Sequence, residues 1–418
     1  MASKNTKLQT LKGFRDFLPE EKRKRDFVLE KIKQTFELFG FEPLETPTLE
    51  YADLLLGKYG KEADKLVYTF TDRGGRKVAL RYDQTVPLSR VLNQNLVGNP
   101  KLLRRYQIQP VFRADKPQKG RYREFLQCDA DIISNWTLFA DAEILALFNA
   151  IYQNIGFKNL IIKVNDRQSL FSLLEKAGVN KEKFLIATRL IDKLDKKDQK
   201  DIEKEFLKAG FSQTTITNIF KLVKKAPISE NLSWVLETAK KLGVPNQTFK
   251  YEPTLARGLD YYTGLIFEGF IPNYDVGSVG GGGRYDKLIS ELTGVEIKAV
   301  GFGLGFDRTV EAAEQTKLIP QFTTNTKVLA TVFKDLSPTK TLEAVKKLRS
   351  KNINTELVTE SKADFNSQLG YAKTKGIPFI LIIGPDEAKA DKVTLKDMKT
   401  GDQQTISLDQ AIQKLKSA

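Results

Sequence analysis

Between Phe41 and Ile133 the chain breaks into five short β-prone runs, FEPLETPTLE, KLVYTFTD, RKVALRYD, RRYQIQPVFRAD and YREFLQCDADII, separated by turn residues. Short strands joined by tight turns pair antiparallel, since a parallel pair needs a crossover of a dozen or more residues. The Asp72-Arg73-Gly74-Gly75 stretch is a plain hairpin turn. The last run is further constrained by the alternation of a strand. Across residues 120–133, GRYREFLQCDADII, Leu126, Cys128, Ala130 and Ile132 point one way, and Arg121, Arg123, Phe125, Gln127, Asp129 and Asp131 the other. One face is core. The other is either plainly solvated or built for a ligand that needs two arginines, an amide and two carboxylates in a row.

The texture around this region sets the domain plan. Residues 20–39 read as a helix with Phe27, Val28, Ile32, Phe36 and Phe39 at helical spacing, ended by Gly40. A second helix is predicted at about 139–155, and residues 165–245 are mostly helical and highly charged. Because β-type, glycine-rich texture resumes at Tyr251 and runs to about Arg308, the helical block reads as an insertion at about 165–250. From Lys327, the strand candidates KVLATVF, NTELVTE and PFILIIG alternate with helix candidates, and a hairpin and a last helix follow. Such alternation predicts a small α/β domain. The expected fold class is therefore α+β: a domain over 1–325 with a central antiparallel sheet and a helical insertion, then an α/β domain over 326–418, with the boundary in QFTTNT, 321–326.

Composition removes whole classes of chemistry. The 418 residues include one cysteine, Cys128, and no histidine, so an internal disulfide framework and the common zinc-site patterns are excluded. No Ser-His or Cys-His nucleophile can form, and no imidazole can act as a base. A metal must be held by oxygen ligands or arrive with a substrate; no protein metal ligands are assigned. The net charge of +15 favours a polyanionic partner. No apolar run approaches the roughly 18 residues of a spanning helix, and the first residues lack the apolar core of a signal peptide, so no membrane partner and a cytoplasmic location are expected.

Four stretches carry polar groups suited to a binding site. ADKPQKG separates YQIQPVFR from GRYREF, and a hairpin there sets Arg113 beside Arg121 and Arg123; clustered guanidiniums match an oligophosphate. In RYDQTVPLSR, Asp83 and Thr85 suit an ammonium group. RGLDYYTGLIFEG brings Arg257, Tyr261 and Tyr262. GSVGGGGRYDKL lets backbone approach a ligand, and VGFGLGFDR places Arg308 at a strand-to-helix junction. A dinucleotide fingerprint is excluded there, as Arg308 replaces its third glycine and no βαβ unit precedes it. Together these groups suit an amino acid meeting a nucleoside triphosphate.

The chain resembles the histidyl-tRNA synthetases of class II nearly from end to end. LKGFRDFLPEE opens the match, FELFGFEPLETPTLEYADLL resembles the dimer-forming motif 1, and FRADKPQKGRYREF resembles motif 2. RGLDYYTG and GGGGRYD resemble the two histidine signatures, GFGLGFDR resembles motif 3, and 327–418 resembles the anticodon-binding domain. The resemblance implies activation of L-histidine with ATP and Mg2+, transfer to histidine tRNA, and a homodimer formed through motif 1. It implies that Arg113 and Arg257 act at the α-phosphate, with Arg113 and Arg257 also engaging histidine, and that Arg113, Asp115, Arg121 and Arg308 bind ATP. Asp83, Thr85 and Gln127 would hold the α-amino end, and Asp131 with Tyr261, Tyr262 and Tyr285 the imidazole. Lys116 and Gln118 would meet the tRNA acceptor end. Asp115 and Lys116 depart from the family's usual glutamate and arginine, and a lysine cannot make the arginine's two-point contact. Two alternatives belong to other classes: a non-catalytic, synthetase-like regulatory subunit of histidine biosynthesis, and a catalytically dead tRNA-binding module.

Overall fold

The computed structural model describes residues 8–57, 64–95, 103–118, 120–134, 137–195, 197–256, 261–294, 296–321, 323–333, 338–360 and 364–417. Two compact units divide the chain: Arg25–Ile319 with the residues up to Asp16, and Pro320–Ala418 with Phe17–Lys24.

The larger unit is organised by an eight-stranded sheet. Its strands are β1 (Glu42–Pro43), β5 (Leu103–Phe112), β6 (Glu124–Ile133), β7 (Ile161–Asp166), β8 (Phe249–Tyr251), β9 (Leu265–Phe270), β10 (Gly280–Arg284) and β11 (Ala299–Gly305). The order is β1-β5-β6-β11-β10-β9-β7-β8. All six central strands pair antiparallel, and only the short edge strands β1 and β8 pair parallel. A separate three-stranded sheet pairs β2 (Leu49–Tyr51), β4 (Lys77–Leu80) and β3 (Thr69–Thr71) around the Asp72–Gly75 turn. The run FEPLETPTLE is thus split between two sheets. Its prolines explain the split, because Pro43 lacks a donor and suits an edge, and Pro47 falls in the break between β1 and β2.

One face of the large sheet is covered by the helix Thr137–Ile155, whose Ile144, Leu145, Phe148, Ile151 and Tyr152 are all buried. Phe148 is the centre of this contact, with ring centroids 5.3 Å from Phe267 and 5.1 Å from Phe302. Two glycines make room for it. A Cβ on Gly269 would lie 2.5 Å from the Phe148 ring and one on Gly280 3.1 Å from it. GGGGR, within the β-type, glycine-rich stretch of the sequence, is a central strand. Tertiary packing overrides low strand propensity here, since Gly282 lies against the β11 backbone where a Cβ would overlap it.

The helical block serves two cores. Helices Arg167–Lys176, Phe184–Asp192, Gln199–Lys208 and Gln213–Lys224 share Leu170, Leu174, Ile191, Ile202, Phe206, Ile216 and Ile219. Side-chain caps start two of them, Asp166 accepting from the Gln168 amide and Ser212 from that of Thr215. The next helix, Glu230–Lys241, instead buries Leu232, Val235 and Leu236 in the main core.

In the smaller unit the sheet order is β13 (Thr355–Leu357), β12 (Val328–Ala330), β14 (Phe379–Ile382), β15 (Val393–Asp397) and β16 (Gln403–Ile406). β12 pairs parallel with β13 and β14, and the last three strands are antiparallel. Alternate residues enter opposite cores, Val328, Ala330 and Leu381 on one face and Leu329, Ile380 and Ile382 on the other.

Candidate active site

The uncovered face of the large sheet forms the floor of a cavity of about 1250 Å³. Strand register aligns its polar groups in rows. Arg105, Asp131, Gly301 and Gly283 make one row; Gln107, Asp129, Gly303, Gly281 and Glu268 the next; Gln109, Gln127 and Gly305 the third. The β6 faces divide as the alternation predicts, with Cys128, Ala130 and Ile132 in the core and Phe125, Gln127, Asp129 and Asp131 facing the cavity. Glycine at the neighbouring β11 positions is required. A Cβ on Gly301 would overlap the Asp131 carboxylate, and one on Gly303 would stand 2.9 Å from Gln127 Nε2.

Asp131 is buried in the floor. Arg105 Nη2 pairs with its Oδ2 at 2.6 Å, and the Tyr285 hydroxyl donates to its Oδ1. Burial pushes the Asp131 pKa up, opposed by Arg105, and pushes the Tyr285 hydroxyl well up as well, with the Asp131 charge adding to it. The hydroxyl therefore keeps its proton. Tyr261 lies against Tyr262 and Tyr285, with ring centroids 4.8 and 6.0 Å away. Arg105 also donates to Gln107 Oε1 (2.9 Å), whose Nε2 donates to Gln109 Oε1 (2.6 Å), so one cation orients two amides in succession.

Further along the same face, Arg113 sits between aromatic rings, its guanidinium carbon 4.5 Å from the Tyr82 centroid and 5.2 Å from that of Phe125. Its Nε donates to the Tyr82 carbonyl (3.0 Å) and Nη2 to Gln127 Oε1 (3.3 Å). Gln127 Nε2 donates to both oxygens of Asp129, at 2.8 and 2.9 Å. Asp129 is pushed up to about 7, chiefly by burial; Arg105 and Gln127 oppose the rise, while Asp131 and Asp83 add to it. Asp83 accepts from the Val86 amide (3.3 Å), capping the helix Thr85–Asn95 and setting Thr85 at the cavity wall.

Cationic groups mark the opposite end. Arg308, in the first turn of the helix Phe306–Gln315, donates to the carbonyls of Gly120 (3.0 Å) and Ser278 (2.7 Å). That turn is anchored by Asp307, which accepts from Arg15 (2.7 Å) and Arg25 (2.6 Å). Arg121 is half-exposed, with Asp115 3.9 Å away. The hairpin does bring Arg113 and Arg121 to one cavity, but Arg123 turns aside to the carbonyls of Asp115 and Lys12.

Sequence comparison adds to this geometry. The profile described as Histidyl-tRNA synthetase matches residues 13–309, and that described as Anticodon binding domain matches 328–418. Histidine-tRNA ligase of Christiangramia forsetii is 36% identical, with 94% of this chain and 96% of that protein covered. The chain belongs to the histidyl-tRNA synthetase family. The enzyme of the same name from Gloeobacter violaceus is also 36% identical, covering 96% of this chain and 97% of its own. The crystal structure of histidyl-tRNA synthetase from Nostoc sp. superposes with a TM-score of 0.84 at 28% identity, covering 99% of both chains.

Of the residues singled out from this synthetase-like sequence, Asp83, Thr85, Asp115, Gln127, Asp131 and the arginines 113, 121 and 308 line the cavity, as do Tyr261, Tyr262 and Tyr285. Lys116 and Gln118 are exposed on the hairpin, outside the lining. Arg257 lies outside the described residues. Sequence reasoning missed Tyr82 and Glu268, and it assigned no role to Asp129 or Phe125. Strand parity was the available signal for those last two, since both share the face of Gln127. Arg189, Asp192 and Lys193 also reach the cavity, and no sequence signal tied them to it.

Proposed function

We propose that this cavity activates L-histidine with ATP and then passes the histidyl group to the 3′ end of histidine tRNA. A carboxylate oxygen of histidine attacks the α-phosphorus, forming the acyl phosphate bond of histidyl-adenylate as the bond to pyrophosphate breaks. Arg113 engages the histidine carboxylate and the α-phosphate, Arg257 acts at the α-phosphate, and Arg121 and Arg308 take the outer phosphates. Asp115 contacts the nucleotide. Asp83, Thr85 and Gln127 receive the α-ammonium; Asp131 and Tyr262, flanked by Tyr261 and Tyr285, receive the imidazole. The observation that carries this reading is polarity. Asp131 and Tyr285 lie at one end of a single cavity and Arg121 and Arg308 at the other, with Arg113 and Gln127 in contact between them.

Such a site works by positioning and charge neutralisation, which needs no histidine base. Magnesium would enter with ATP. Among the described residues no group of three His, Cys, Asp or Glu side chains gathers to hold a metal. Lys116 and Gln118 meet the acceptor end of tRNA, a reading supported by their exposure on the hairpin. Motif 1 forms the dimer; the exposed Leu38, Leu49 and Tyr51 within it supply apolar surface for a second copy. A cytoplasmic enzyme accords with the absence, among the described residues, of any helix long and apolar enough to cross a membrane.

Histidine-dependent exchange of pyrophosphate into ATP tests the reading directly. Exchange with histidine and none with the other amino acids is expected. A folded chain that binds histidine tRNA without any exchange would overturn the catalytic assignment in favour of a binding module.

A further inference from the structure

Asp129 is buried, carries no role in the activation scheme above, and faces the same cavity as Gln127 and Asp131. Its two oxygens both accept from Gln127 Nε2, while Gln127 Oε1 accepts from Arg113. A side-chain amide is nearly symmetric in shape, so its orientation is decided by its neighbours. Here it is decided twice. Above about pH 7, where Asp129 is ionised, its carboxylate only accepts, and a guanidinium only donates; turning the amide over would set oxygen against carboxylate and NH2 against guanidinium. The Gln127 main chain is also held, its carbonyl accepting from Gln84 Nε2 at 3.1 Å.

We infer that Asp129 is a positioning residue for the amino-acid substrate: it turns the Gln127 amide so that the oxygen, not the NH2, faces the α-ammonium. The inference rests on the proposed activation of histidine and deepens it. Gln127 Oε1 has a second lone pair beyond the one used by Arg113, and an ammonium is a donor with no acceptor. A flipped amide would present hydrogens to it instead. Glutamine thereby serves as a neutral acceptor of fixed direction, and the charge that fixes it lies in the neighbouring row of the sheet.

The test is steady-state pyrophosphate exchange with the full-length chain. Asp129→Asn keeps the size of the side chain but can donate as well as accept, so one of the two constraints on Gln127 is removed and only Arg113 still orients it. The histidine KM is expected to rise roughly tenfold, the loss of a hydrogen bond to a charged group, with kcat and the ATP KM changed less than about threefold. The double variant Gln127→Glu with Asp129→Asn moves the negative charge back by one link. The amide introduced at position 129 then donates to the carboxylate introduced at 127, which presents an oxygen whichever way it turns, and the histidine KM should return to within about threefold of the starting value. An unchanged KM in Asp129→Asn, a double variant no better than the single one, or an equal rise in both KM values overturns the inference. Should Asp129→Asn fail to fold, the double variant alone carries the test, and its histidine KM must stay within about threefold of the starting value. Wild-type chain without histidine-dependent exchange would instead sink the activation reading itself.

Discussion

Asp131 and Arg121 face the same cavity from opposite ends of one chain stretch, yet their surroundings differ sharply. The Asp131 side chain is 4% exposed, ion-paired to Arg105 and hydrogen-bonded by Tyr285, whereas Arg121 is 51% exposed with a carboxylate 3.9 Å away. Charge on the floor is held by partners that cannot leave without stranding another charge. Charge on the rim is solvated and free to change partners. The floor therefore couples recognition to stability, and the rim separates them.

Removing a floor charge should do the most damage. Asp131→Ala leaves Arg105 buried without its carboxylate and should lower stability by about 3–5 kcal/mol, read from the urea midpoint, while abolishing histidine-dependent exchange. A loss of activity with an unmoved midpoint would break the coupling between floor and fold. Arg113→Ala, midway between the two regions, should fold normally and slow exchange by about 10²–10³-fold, the cost of about 2.7–4 kcal/mol for one donor to developing charge.

The floor should also betray itself in pH dependence. Asp129 ordinarily titrates at 3.8 and is pushed up to about 7 in the folded chain. An acid whose pKa rises on folding binds its proton more tightly when folded. Its contribution is thus fully present below about pH 4 and is lost as pH rises through about 7. Asp129→Asn should gain in melting temperature on the wild type between about pH 4 and 8. A constant difference across that range would mean that burial does not govern this carboxylate. The smallest effect belongs to the rim: Arg121→Ala should shift stability by no more than about 0.5 kcal/mol and raise only the ATP KM. A comparable rise in the histidine KM would show that rim and floor are not separate.

Strand parity made much of the floor legible in advance. The alternation of Leu126, Cys128, Ala130 and Ile132 with Phe125, Gln127, Asp129 and Asp131 is a local property, and the sheet preserves it. What escaped depends on neighbours distant in sequence. GGGGR is a central strand because side chains there would meet Phe148 at Gly280, the β11 backbone at Gly282 and Tyr262 at Gly283. The reach of Arg189 and Lys193 into the cavity follows from how the small helical core packs, and no motif encodes it. Arg123 shares the parity of Arg121 but falls before β6 begins at Glu124, where strand alternation no longer governs direction. The smaller unit was legible for the opposite reason, since both faces of its sheet are apolar and alternation alone assigns them.

A cavity walled by carboxylates, tyrosines and arginines, in a chain that contains no imidazole, is spectroscopically silent where its substrate is not. In a proton magnetic resonance spectrum, any imidazole ring signal from the complex belongs to the ligand. The ring's tautomer and charge beside Asp131 and Tyr285 can be followed by chemical shift through a titration, with no isotope label and no mutated background.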